Sequence, residues 1–405
     1  KNTDTFTNFA AIYNKIQTVM RRYLLFLFLT LSLTPAGAQP KYEVRAAWVT
    51  AVYGLDWPQT KATTPAGIRR QQEELIEILD KLKAANFNTV LFQTRTRGDV
   101  LYKSSIEPYN SILTGKVDGD PGYDPLAFAV RECHKRGMEC HAWMVALPLG
   151  NKKHVAKLGN KSVTKKRKEI CIPYKNEYFL NPGHPSTKEY LMKLVREVVT
   201  RYDVDGVHID DYFYPTTEAY FDSIAFNASS YSSLSQFRLD NCSRMVADMY
   251  KAVKSHNPTA LFGVSAQGNV TNNETQLYAD VEKWSKEDGY VDYMAPQIYY
   301  GFDNGGQPFE QVVEQWDKML AGTGKSLIPG LAVYKIGTED EWAGSGRYEW
   351  QNDKEIIKRQ IVKSQKTSNY GGVILYSYQF IFEPDSNVKT AVNKEIAAFK
   401  PLLTQ

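Results

Sequence analysis

The run Val204-Asp205-Gly206-Val207-His208-Ile209-Asp210-Asp211-Tyr212 puts carboxylates where chemistry would need them. Side chains alternate along a strand. Val207 and Ile209 are apolar and suit an interface with helices, so His208 and Asp210 share the opposite face. Asp210 then stands at the strand's end, His208 lies one layer below, and Asp211 opens the next loop and is placed to turn back in. A pair of carboxyl groups serves acid–base chemistry when one holds a proton and the other a charge. The bland alternative is a capping Asp above a hydrogen-bonded, buried His. Asp and His are both depleted from protein interiors, which favours the chemical reading.

Other polar groups recur at strand ends. Gln93, Arg95 and Arg97 share one parity, and Asp99 follows in the loop. Arg95 either binds a substrate oxygen or holds a carboxylate ionised, and a structural ion pair is its alternative. Trp48, Trp143, Gln297, Tyr299 and Tyr378 fall at the ends of other strands. One such aromatic is ordinary core; several beside Gln, Arg, Asp and His suit a polar ligand with apolar faces, which describes a sugar. Competing chemistries lack their signatures. No His-x-His lies on the first strand, the six His form no zinc spacing, and there is no Gly-x-Ser-x-Gly elbow or phosphate loop. No metal or cofactor is implied.

These residues need elements to hold them. Short apolar runs read as strands over 45–51, 89–94, 139–145, 206–210, 261–266, 291–298, 327–333 and 372–378. Helical periodicity fills the spaces between and after them, over 186–202, 235–256, 275–286, 309–320, 353–367 and 388–399, with earlier helices begun by Thr64-Pro65 and Asp124-Pro125. Eight strand–helix units in order imply a parallel sheet closed as a (β/α)8 TIM barrel. A doubly wound open sheet would carry a glycine-rich turn after strand one, and Val52-Tyr53-Gly54-Leu55 is not one. Long loops follow strand two (95–123) and strand three (148–185), where barrels build active sites. The basic run Lys165-Lys166-Arg167-Lys168 in the second loop reads as a solvated face.

Composition agrees with a globular chain: 405 residues, 43% hydrophobic, with aromatics at 13% that include 26 Tyr. Residues 1–38 read as an upstream extension and a secretory signal peptide. Met20-Arg21-Arg22 is basic, Tyr23–Leu33 is apolar but too short to span a bilayer, and Ala36-Gly37-Ala38 offers a cleavage site before Gln39. The expected location is periplasmic or extracellular. The segment's four basic residues and one acidic residue reduce the formal charge from +4 to +1 for residues 39–405, which form one expected domain. Near-neutrality gives no electrostatic case for nucleic acid or an anionic membrane. Cys133, Cys140, Cys171 and Cys242 read as buried or free thiols.

As a set, several motifs resemble the glycosyl-hydrolase-like ten family. They are Arg45–Thr50, Gln93-Thr94-Arg95 with Gly98-Asp99 and Tyr102, Asp124-Pro125-Leu126, and His134–Gly137 with His141-Ala142-Trp143. Leu180–Gly183, the long run Tyr202–Pro215, and Asp292-Tyr293 with Pro296–Tyr299 complete the set. The resemblance implies a secreted glycosidase-type barrel acting on envelope or extracellular glycans, with peptide-free peptidoglycan strands as substrate. The sequence departs from the family at Gly263–Asn269, where an aromatic and an Arg are usual. Gly206–Asp210 also looks like the α-amylase Gly-x-Arg-x-Asp pattern, in which the Asp is nucleophile. Asp205–Tyr212 is similar to the chitinase Asp-Gly-x-Asp-x-Asp-x-Glu pattern, with Tyr212 replacing the acid. The expectation is therefore Asp210 as nucleophile or stabiliser and Asp211 as acid, with Asp99, Asp303 and Glu341 as alternative acids. Trp48, Arg95, Asp99, Trp143, His208, Gln297, Tyr299 and Tyr378 are the expected substrate-binding residues. A catalytically silent glycan-binding barrel is the alternative function.

Overall fold

Thr64 and Asp124 each accept a hydrogen bond from the first turn of the helix they precede, from the N–H of Gly67 and Ala127 respectively. Proline follows both, where its fixed φ suits a helix and its missing donor costs nothing. Helix Pro65–Ala84 buries Leu75, Ile78, Leu79 and Leu82 along one stripe. Such stripes pack against a parallel sheet in this computed structural model, which describes residues 42–403.

The strands are β1 (Val44–Val49), β2 (Thr89–Arg95), β3 (Glu139–Met144), β4 (Pro148–Asn151), β5 (Cys171–Tyr174) and β6 (Glu177–Leu180), followed by β7 (Gly206–Ile209), β8 (Leu261–Val264), β9 (Tyr293–Met294), β10 (Ser326–Leu327), β11 (Gly330–Ala332) and β12 (Gly372–Tyr376). Nine of them form one sheet in the order β10-β9-β8-β7-β3-β2-β1-β12-β11, parallel throughout. Its first and last members are one stave: β10 pairs with β9, and β11, two residues later, pairs with β12. The sheet therefore closes on itself as a (β/α)8 barrel. Pro329, which has no N–H to donate, lies in the break between them.

Strand parity divides the core in two. Val44, Ala46 and Trp48 of β1 join Leu91, Trp143 and Tyr293 inside the barrel. Ala47 and Val49 face outward and join Phe92, Val207 and Ile209 beneath the helices. His208 and Asp210 occupy the inward parity of β7, opposite to Val207 and Ile209.

Three expectations change. The helix expected over 275–286 is two short ones, Val270–Thr275 and Val281–Lys286, because Tyr278 turns left-handed (φ 53°) and Asp280 starts a new helix by accepting from Lys283 N. The eighth strand stops at Tyr376, and Tyr378–Phe382 is already helical. The long loop after strand three contains a small antiparallel sheet, β4-β6-β5. Lys165, Lys166 and Lys168 are exposed there, as a solvated run should be. All four cysteines are free thiols.

One glycine is fixed by space. A Cβ on Gly263 would lie 2.0–2.4 Å from the ring atoms of Tyr293, which crosses beneath it inside the barrel. Gly263→Ala is expected to cost at least about 1–3 kcal/mol, the range for overpacking a filled core, read as a lower urea midpoint.

Candidate active site

Asp210 and Asp211 lie at the carboxyl end of β7, where the chain leaves the sheet. Asp210 is only 5% exposed. Its Oδ2 accepts from Trp143 Nε1 at 3.2 Å and its Oδ1 from Tyr212 N at 3.4 Å. Asp211 is less enclosed, and its Oδ1 accepts from Gln297 Nε2 at 3.1 Å; the same amide nitrogen donates to Ser265 O at 3.0 Å. Burial pushes the Asp210 carboxyl well above the usual carboxylate range, and the charge of Asp211 pushes it further, against the Trp143 and Tyr212 donors. Burial also raises Asp211, where the Gln297 amide pulls the other way. The two groups thus titrate as a pair. The charge of Asp211 favours the protonated form of Asp210.

A polar column, buried except at its lower end in Glu139, stands below the pair. Glu139 Oε2 lies 3.3 Å from His141 Nε2, and His141 Nδ1 lies 3.2 Å from the Tyr293 hydroxyl. That hydroxyl lies 3.0 Å from His208 Nδ1, and His208 Nε2 lies 2.9 Å from Ser265 Oγ. Burial lowers the His208 pKa to about 3, with the neighbouring His141 adding to the shift, so its ring is neutral at physiological pH. A neutral imidazole has one N–H and one lone pair, and a phenol has one proton to donate. His208 therefore donates to one of its two column partners and accepts from the other. The column's upper end fixes Ser265, whose carbonyl helps hold the Gln297 amide against Asp211.

Above the pair opens a cleft of about 340 Å³. Trp48, Trp143, Gln297 and Tyr299 line it together with Asp210 and Asp211. Four other expected residues lie elsewhere. Arg95 is fully buried in an ion pair with Glu107, through Nε–Oε2 and Nη2–Oε1 contacts of 2.7 Å each, and Tyr190 donates to the same carboxylate at 2.8 Å. A register shift between Gln93 and Arg95 breaks the alternation that the parity argument relied on, so Gln93 reaches the cleft and Arg95 does not. Asp99 is buried within its own loop, where Oδ1 accepts from Asn110 Nδ2 at 3.0 Å, from Arg97 N at 3.3 Å and from the Thr96 hydroxyl. His208 sits beneath the cleft wall, inside the column. Tyr378 starts a helix after the strand has ended, and its hydroxyl accepts from Lys81 and donates to Glu383. Tyr376, two residues earlier, lines the cleft instead. The alternative acids Asp303 and Glu341 are exposed and do not line it.

Sequence reasoning left Ser265, Tyr334 and Phe380 without a role, yet all three line the cleft. Ser265 was within reach of the parity rule, two residues after Gly263. Tyr334 and Phe380 come from loops, for which alternation gives no signal.

A closed parallel barrel with enclosed carboxyls and aromatic walls at the carboxyl ends of its strands is the architecture of the glycosidase-type TIM barrels. Solved structures agree on the fold. The catalytic domain of a β-amylase from Paenibacillus polymyxa superposes with TM-score 0.58 at 10% identity, covering 90% of this chain and 99% of that one. The glycoside hydrolase domain of PgaB (BpsB) from Bordetella bronchiseptica superposes with TM-score 0.52 at 14% identity, covering 87% of this chain and 99% of that one. The chain belongs to the glycosyl hydrolase-like 10 family, whose pattern matches residues 43–344. Its relatives include glycosyl hydrolase YngK of Bacillus subtilis, 29% identical over 91% of this chain and 75% of that protein. Glycosyl hydrolase DigH of Escherichia coli is 29% identical over 87% of this chain and 88% of its own length.

Removing Glu107 would strand the buried Arg95 guanidinium. Glu107→Ala is expected to lower unfolding free energy by about 3–5 kcal/mol in denaturant titration, the cost of breaking a buried ion pair from one side.

Proposed function

We propose that the protein hydrolyses glycosidic bonds in a bacterial envelope glycan that contains N-acetylhexosamine, with peptide-free peptidoglycan strands as the substrate that fits best. The observation that carries this reading is the Asp210–Asp211 pair, two carboxyls raised by burial at the base of an aromatic-walled cleft. Family membership and the hydrolase names of YngK and DigH support the reaction class.

In this reading the two roles expected from the sequence exchange. Asp210 is the deeper group and feels its neighbour's charge, so it keeps its proton and acts as the general acid. Asp211 is steadied by an amide donor and supplies the negative charge. As the bond breaks, Asp210 gives its proton to the glycosidic oxygen, and that oxygen leaves with the bonding pair. Positive charge develops at the anomeric carbon. On a 2-acetamido sugar the neighbouring acetamido oxygen bonds to that carbon, while Asp211 holds the acetamido N–H and offsets the charge. Water then attacks the same carbon, loses a proton to Asp210 and restores the acetamido group. Trp48, Trp143 and Tyr376 line the space the sugar takes.

Asp210→Asn should reduce kcat on peptide-free glycan strands by about 10²- to 10⁴-fold, followed as new reducing ends. If the folded variant kept full activity, the assignment would be wrong. Wild type that bound the strands yet released no new ends would instead mark a binding barrel. Asp211→Asn removes the charge that raises Asp210, so the alkaline limb of its residual pH–rate profile should move to lower pH. We also place the protein outside the cytoplasm, on the pattern of Met20–Ala38, which lies outside the described residues. N-terminal sequencing of the exported protein should begin at Gln39.

A further inference from the structure

A second cavity, of about 370 Å³, adjoins the cleft, and Val52, Thr96 and Arg97 wall both. Its lining holds four basic side chains, Lys61, Arg97, His154 and Lys157, and no Asp or Glu. Among the described residues, no carboxylate lies within ion-pair distance of Lys61, Arg97 or Lys157. Each is held in place by a neutral group. Lys61 Nζ donates to Ile112 O at 2.7 Å, Lys157 Nζ to Ser111 Oγ at 3.1 Å, and Arg97 Nη1 to the Tyr53 hydroxyl at 3.2 Å. The acidic group nearest in the hydrogen-bond network is Asp99, buried behind the wall with Oδ2 3.5 Å from His154 Nε2.

The ammonium groups sense one another. Burial lowers the Lys61 pKa, and the like charge of Lys157 lowers it further, only partly offset by Glu74. An anion between them would relieve that repulsion. The ridge between the two cavities carries a further mark. Tyr53 is a non-glycine residue with φ 56° that is 88% exposed, and the Arg97 guanidinium lies 5.3 Å from its ring centroid. Left-handed backbone at a bulky residue is held at a cost and concentrates at ligand sites. An exposed ring there offers a platform to a sugar in the second cavity, beside the Arg97 that walls both.

We propose that this cavity is a subsite for a sugar bearing a free carboxylate, continuous with the glycan bound in the cleft. The inference rests on the glycan reading above and narrows it to acidic glycans. It also gives a chemical reason for peptide-free strands: a lactyl ether carries a free carboxylate only where no peptide is attached to it. Lys61, Lys157 and Arg97 supply charge-assisted hydrogen bonds to that group.

The test is equilibrium binding to the Asp210→Asn protein, so that turnover does not consume the probe. The probes are peptide-free peptidoglycan oligosaccharides and the same oligosaccharides with carboxylates reduced to alcohols. Adding Lys61→Gln and Lys157→Gln should weaken binding of the carboxylate form about tenfold and leave the reduced form unchanged. Restoring charge with Lys61→Arg and Lys157→Arg should recover most of the loss. Equal binding of both probes before the lysines are changed would overturn the proposal. So would equal loss of both probes in the Gln variant, or inorganic phosphate displacing the oligosaccharide at its own concentration. Failure of the hydrolase reading is seen separately, as an absence of new reducing ends from wild type with either probe.

Discussion

Two carboxyl groups on consecutive residues share one poorly hydrated space, and neither can carry full charge without affecting the other. Transfer from water makes the charged form costly for both, and the first to ionise makes the second costlier still. Asp210 meets both penalties, whereas Asp211 is eased by the Gln297 amide. The asymmetry needs no metal or strong cation beside the pair. It follows from depth, from the neighbouring charge and from the donors each group meets, which weigh unequally on two otherwise identical side chains.

That donor has to be fixed, and the barrel interior fixes it. Gln297 bonds both Asp211 and the backbone of Ser265, and Ser265 tops the column that descends through His208, Tyr293 and His141 to Glu139. Buried polar chains are tolerated when every member finds a partner. Space for this one comes from glycine: a Cβ at 263 would strike the Tyr293 ring, and a Cβ at 206 would lie 2.7 Å from His141 Nδ1. The stretch Gly263–Ser265 thus supplies both the glycine that admits Tyr293 and the serine that ends the column.

Around this centre the surroundings divide by charge. The cleft over the carboxyls is walled by rings, aliphatic side chains and the Gln93 and Gln297 amides, with Arg97 shared with the second cavity. Basic groups gather next door, beyond the Tyr53–Arg97 ridge. An arginine that did reach the pair would hold both carboxyls ionised and leave no acid. Arg95 is kept from doing so by its buried bond to Glu107.

Local rules read along the chain were enough for the barrel, because eight apolar strands each followed by an amphipathic helix leave few other ways to bury both faces of a parallel sheet. The inward direction of His208 and Asp210 followed likewise from alternation on an unbroken strand. Alternation failed where the chain left regular geometry: at the irregularity after Gln93, which turned Arg95 into the wall, and after Tyr376, where a helix carried Tyr378 away. Loop contributions such as Tyr334, Phe380 and the basic groups of the second cavity had no period to reveal them. How differently the two carboxyls are enclosed was also beyond the sequence. Asp210 and Asp211 are the same residue type one position apart, and only the depth and donors assigned by the folded chain make them different acids.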